Sequence, residues 1–235
     1  MFAETEKKRA RLNEGKPLLQ RTKDYADRLA LFDLAYTTLK LDGSKLTAEG
    51  VNHIMEGRIV SGVSVGEHIE IDRHRLLLRA FSDMLHMDTA LDRKELSRLY
   101  GILTDNPEPA FRTEDPVLHH LGYAPPPYAD VPDRLDQLFR NLFLRDYGGD
   151  CVRRAAELHA GVIAVYPFAE RTEALARIAL QYELLRGGFP VISFGLSEQD
   201  YNRMVSEGIR SGVHDALYEH VLSCVDRKLD LLLSL

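Results

Sequence analysis

Seven prolines, at 107, 109, 116, 125, 126, 127 and 132, fall within a short stretch of this 235-residue chain and exclude a continuous helix there. Proline has no amide N–H to donate, and its ring collides with the preceding helical turn. The segment from Asn106 to Asp133 is therefore loop, with at most a short hairpin. On either side of it the sequence follows helical periodicity. Between Lys23 and Leu41, apolar Leu29, Phe32, Ala35, Tyr36 and Leu39 recur at steps of three and four, until Asp42-Gly43-Ser44 ends the run. Thr47 is placed to cap a helix that closes near Gly57. Leu77, Ala80, Phe81, Met84 and Leu85 mark one face of a helix within Ser64 to Leu85, and Asp92 to Leu103 is a further helix. Beyond the prolines, helices are expected over about 131–145, 149–165, 172–186, 198–210 and 213–233, the third stopped by Gly187-Gly188. The expectation is one all-α domain over 1–235, a helical array with a short β-hairpin flap at 106–132.

No run of 18 apolar residues is present, so no membrane-spanning helix is expected. The start, MFAETEKKRARLNEGK, is charged and lacks the apolar run of a secretory leader, which points to a cytoplasmic protein. A net charge of -6 argues against a nucleic-acid partner, and the basic stretch from Lys7 to Arg11 reads as a solvated helix face. Cys151 and Cys224 lie in helical patterns without zinc-type spacing and read as reduced core or boundary residues. His119-His120, near Glu114 and Asp115, also lacks metal spacing. His68 and His74 are six apart, share no i, i+4 face, and read as core or capping residues.

The informative segment runs from His159 to Arg177, HAGVIAVYPFAERTEALAR. It resembles the signature of the Fic (Fic/Doc) family, in which a helix ending in aliphatic-His-Pro-Phe leads through an acidic residue into Gly-Asn-Gly-Arg, with a second arginine after it. Tyr166 stands where the family has its catalytic histidine, Pro167 and Phe168 match, and Glu170 takes the acidic position that holds magnesium in the family. Arg171-Thr172-Glu173-Ala174 replaces the glycine-rich step, and Arg177 matches the second arginine. His159 is the counterpart of a buried family histidine. Upstream, Thr38, Asp42 and Gly43, within an N-terminal segment 22–57, resemble the family's inhibitory Ser/Thr-x-x-x-Glu-Gly/Asn helix. Tyr201 and the stretch from Asp226 to Leu232 fit its last two helices. The likeness covers about residues 30 to 232.

The residue types explain what such a site needs. In active members the histidine takes a proton from a target hydroxyl that attacks the α-phosphate of ATP, and its pKa near neutrality suits that task. Tyrosine, with a reference pKa of about 10, stays protonated at pH 7. Loss of a general base typically costs about 10² to 10⁴ in rate. The family's glycines let backbone N–H groups approach phosphate at a helix start. Here Arg171 and Glu173 carry long side chains, and like charges about 4 Å apart oppose each other by roughly 4 kcal/mol at intermediate dielectric. Ala174 lacks the first arginine, and deleting one such donor costs about 3 to 4 kcal/mol.

The resemblance therefore implies a Fic fold without AMP transfer, acting as a binding or regulatory protein. A protein partner is expected at the flap and the old cleft, and a homodimer is a second expectation; no cofactor is expected. The alternative is a diverged transferase that moves a nucleotide or other phosphate-containing group, for which magnesium at Glu170 and ATP would be needed. Tyr201 is then a candidate for the nucleotide pocket, with ordinary packing as the equal alternative. Arg177 is expected to turn to Asp42. Aspartate is a methylene shorter than glutamate, which leaves room for a bridging water.

Overall fold

The computed structural model describes residues 2–15 and 19–235; residues 1 and 16–18, at the edges of the charged N-terminal stretch, lie outside it. Among the described residues there are ten α-helices: α1 Phe2–Glu14, α2 Gln20–Leu41, α3 Ala48–Met55, α4 Val65–His86, α5 Arg93–Thr104, α6 Val131–Leu144, α7 Cys151–Val165, α8 Thr172–Arg186, α9 Glu198–Ser211 and α10 Asp215–Leu233. Several start where a side chain satisfies an orphan N–H of the first turn. Thr47 accepts from Gly50 at 3.1 Å, Asp92 from Glu95 at 2.8 Å, Asp150 from Arg153 at 2.9 Å and Ser197 from Asp200 at 3.1 Å. Ser64 and Glu67 close a reciprocal capping box at the head of α4.

At the centre α7 and α8 pack against each other, and α8 is buried on every side from Ala174 to Glu183. A helix covered all round belongs to the core of the array rather than to its surface. The other helices supply the cover: α2, α4 and α5 lie against α8, while α6, α9 and α10 lie against α7. A smaller apolar cluster of Ala35, Leu39, Leu46, Val51, Ile54 and Ile71 joins α2, α3 and α4. It holds the end of α2 beside the start of α8.

In the stretch from Lys7 to Arg11, Lys7 and Arg11 are exposed as a solvated face requires, while Lys8 and Arg9 are partly covered. Helix α1 lies along α10, where Lys8 reaches Asp226 at 2.8 Å and Asp230 at 2.7 Å. Arg9 donates to the Gly187 carbonyl at 2.6 Å and lies over the Phe189 ring. Nothing in local periodicity specifies these partners, because they come from the far end of the chain.

The hairpin of the flap contracts to one antiparallel bridge, Leu118 to Tyr123. Pro116 and Pro125 to Pro127 remove ladder donors on both sides of it. Leu118 and Leu121 are buried and fix the flap to the core. A short 3-10 turn, Tyr128–Asp130, then feeds α6, which carries Pro132 in its first turn, where the missing N–H costs nothing. Among the described residues no helix is long and apolar enough to cross a membrane. Cys151 and Cys224 are free thiols.

Candidate functional site

The loop between α7 and α8 turns twice through left-handed backbone, at Tyr166 (φ 50°) and Arg171 (φ 59°). Both are costly conformations for residues with a Cβ, so the surroundings must hold them. Arg112 of the flap does much of this. Its side chain is buried, its Nε donates to the Tyr166 carbonyl at 2.8 Å, and its other nitrogens reach the carbonyls of Glu114 and Pro126 and the Asp115 carboxylate. The Arg112 amide also donates to the Pro167 carbonyl at 3.0 Å. Phe168 is buried against Tyr100, ring centroids 3.7 Å apart, and the Thr172 hydroxyl bridges the Phe168 N–H and carbonyl. These contacts pin the loop from both flanks.

Helix α8 begins at Thr172, with Glu173 in its first turn. A carboxylate in the first turn is favourable at the positive end of the helix dipole. Glu173 Oε1 takes two further partners: His120 Nε2 of the flap at 2.7 Å and the Tyr166 hydroxyl at 3.4 Å. Burial, the Glu173 charge and that hydrogen bond hold the Tyr166 hydroxyl well above its ordinary pKa. It stays protonated through the neutral range.

Asp42, at the C-terminal end of α2, faces two arginines. Its Oδ1 accepts from Arg177 directly, without the bridging water that its short side chain allowed for, and its Oδ2 lies 3.1 Å from Arg171. Arg171 also bonds Glu70 of α4, so the loop, α2 and α4 meet in one ionic cluster. Arg177 is 1% exposed. Burial alone would lower its pKa, but Asp42 and Tyr201 outweigh this and keep the guanidinium charged. Thr38 is buried one turn before Asp42, and Gly43 takes φ 81° as the chain leaves α2, a conformation only glycine adopts freely.

Tyr201 does not line an open pocket. It is fully buried, its hydroxyl 2.8 Å from His159 Nε2 and its ring 5.4 Å from the Arg177 guanidinium. The open polar cleft of about 530 Å³ beside it is lined instead by His120, Glu198, Gln199, Asn202, Arg203 and Ser206. His159 is held neutral, its pKa pushed down to about 3 by burial and by the Arg177 charge. A depressed folded pKa contributes stability above the unfolded value of about 6.5 that is lost as pH falls towards 3. His159→Gln should therefore flatten the acid side of the stability profile. Between pH 6 and 5 the variant is expected to lose about 1 kcal/mol less than wild type, as measured by urea unfolding at each pH. Equal slopes in the two proteins would show that His159 does not titrate this way.

Glu170, at the position that holds magnesium in the family, is exposed, and Arg171 goes to Asp42 and Glu70 rather than to it. Among the described residues no cluster of three His, Cys, Asp or Glu is arranged to hold a metal ion. At the α8 start Glu173 brings a negative charge, and Ala174 offers no side-chain donor. Three residues that shape the site were not picked out for it in advance: Glu70, Arg112 and His120. Glu70 was hidden in an unremarkable helix face. Arg112 and His120 sit in the proline-rich loop, where no periodicity says which way a side chain points.

The chain is similar to known proteins in sequence and in fold. Residues 90–184 match the Fic/DOC family model. Over 176 residues, 70% of this chain, the sequence is 24% identical to protein adenylyltransferase fic-1 of Caenorhabditis briggsae, and it is 25% identical to that of Caenorhabditis elegans over the same share. The chain spans about a third of the length of these curated relatives. Among solved structures, a Fic domain containing signaling protein from Bacteroides thetaiotaomicron has a TM-score of 0.81 at 19% identity, covering 98% of this chain and 94% of that one. A segment of Fic-1 from C. elegans has a TM-score of 0.79 at 18% identity, covering 99% and 70%.

Proposed function

We propose that this chain, a Fic-fold protein related to Fic adenylyltransferases, does not transfer AMP and works as a cytoplasmic, single-domain binding or regulatory protein. The observation that carries this reading is Tyr166: a buried hydroxyl, hydrogen-bonded to Glu173 and held protonated, stands at the position of the proton acceptor. The negative charge of Glu173 in the first turn of α8, which opposes a phosphate there, supports it independently. What remains open is the polar cleft between the flap and α9, and a protein partner is read as docking there. Nucleic acid and membrane are not expected partners.

One observation favours the second reading, a diverged transferase of a phosphate-containing group: Glu170 stays exposed at the loop and Arg177 is retained. Calorimetric titration with ATP, GTP and CDP-linked compounds, each with magnesium, separates the two. No heat of binding is expected from any of them. Saturable binding that weakens in Glu170→Ala would replace the first reading by the second.

A further inference from the structure

A cavity of about 590 Å³ lies apart from the α7–α8 loop and shares no residue with it. Its origin is in the seating of α2. The buried residues of α2 run from Leu31 to Leu41, and its first half has none. Helix α1 packs along α10, whereas α2 packs on α3, α4, α8 and α9, so a space is left between α1, α10 and the first half of α2. Helix α8 stops at Gly187-Gly188, and Pro190 bars the chain from resuming a helix directly after it. The wall that results is apolar. Phe189 and Val191 come from this segment, Leu12 from α1, Ala26 from α2, Leu185 from α8 and Leu232 from α10. A volume of this size, mostly apolar with a few polar groups, is that of a small-molecule pocket.

Charged groups reach the cavity at two places and cancel at both. Lys23 and Asp27 stand one turn apart at exposed positions of α2. Lys228 lines the wall from α10 and bonds Asp33, both side chains only 10% exposed. Burial raises the Asp33 pKa, and the Lys228 charge and hydrogen bond counter it. An ion entering the cavity would lose its hydration without meeting an unbalanced counter-charge, which is costly. An uncharged molecule has no such cost. An ammonium has three N–H donors, and Asp33 is the acceptor that Lys228 has among the described residues, so donors are left to offer to a ligand oxygen. We propose that this cavity is a binding site for an uncharged, mostly apolar small molecule with a hydroxyl or carbonyl oxygen at one end. The oxygen accepts from Lys228, and the apolar body lies against Phe189, Val191 and Leu232.

Fluorescence titration of the full chain with N-phenyl-1-naphthylamine, an uncharged apolar probe, tests this. Saturable binding to one site is expected, with a Kd between about 1 and 100 µM. Ala26→Trp and Leu232→Trp, which fill the cavity from two of its walls, should each weaken binding at least about tenfold while far-UV circular dichroism stays unchanged. Decanol should displace the probe, and decanoate and decylammonium should do so at least about tenfold less well, because each brings an unbalanced charge. The paired replacement Asp33→Leu with Lys228→Met strands no charge. It should keep probe binding and weaken decanol about threefold or more, the loss of one hydrogen bond. Absence of saturable binding, binding unchanged in both tryptophan variants, ions that compete as well as decanol, or decanol unaffected by the paired replacement would each overturn the proposal.

Discussion

Replacing Asp42 by alanine is expected to destabilise the protein by about 3 to 5 kcal/mol, the cost of stranding a buried charge. Arg177 is buried, and its Nε and Nη1 find no acceptor among the described residues, so the Asp42 carboxylate is what compensates its charge. The same substitution removes one of the two carboxylates that hold Arg171, leaving Glu70 alone to orient it. For a chain of this size the loss corresponds to roughly 10 °C or more in Tm, followed by circular dichroism. Asp42→Asn keeps an acceptor but no charge and should fall between. Replacing both partners, as in Asp42→Leu with Arg177→Met, should recover much of the loss, because a buried ion pair exchanged for apolar groups is often near neutral. A drop under about 2 °C in Asp42→Ala would mean that Arg177 finds its compensation elsewhere. The family resemblance implies that the corresponding contact is inhibitory in active members. In this chain its removal should reduce stability and release no transfer activity.

The second expectation is that labelled ATP with magnesium will leave no AMP on the chain itself or on protein targets, in wild type and in Tyr166→His alike. A restored imidazole would supply the base, worth about 10² to 10⁴ in rate. It would still face Glu173 at the α8 start, whose charge opposes phosphate by roughly 4 kcal/mol at about 4 Å. The donor missing at Ala174 would remain missing, at a cost of about 3 to 4 kcal/mol. These penalties come from separate side chains, so repairing one leaves the others. Wild-type transfer within about tenfold of an active relative would refute the reading at its root. Transfer by Tyr166→His alone would show that Glu173 leaves the anion site usable, and would move attention to the exposed Glu170 as metal ligand.

Much of this arrangement was legible in the sequence because it depends on neighbours in the chain. The proline run could not be helix, the cap at Thr47 acts within one turn, and the absence of glycine from Thr172 to Arg177 let α8 start at Thr172. The approach of Arg177 to Asp42 was legible only through a family resemblance, since 135 positions separate the two. Local pattern carries no information about such a distance. The same limit explains Tyr201: the spacing was equally consistent with a pocket wall and with packing, and only the seating of α9 on α7 turned its hydroxyl to His159. His120 and Arg112 belong to a loop, where direction is set by whatever the loop lands on. The sequence by itself therefore determined most of the helices and their ends, effects of residue chemistry within a turn or two. The tertiary structure decided which charges meet, because a buried ion pair forms only where packing from distant segments excludes water and leaves one partner within reach.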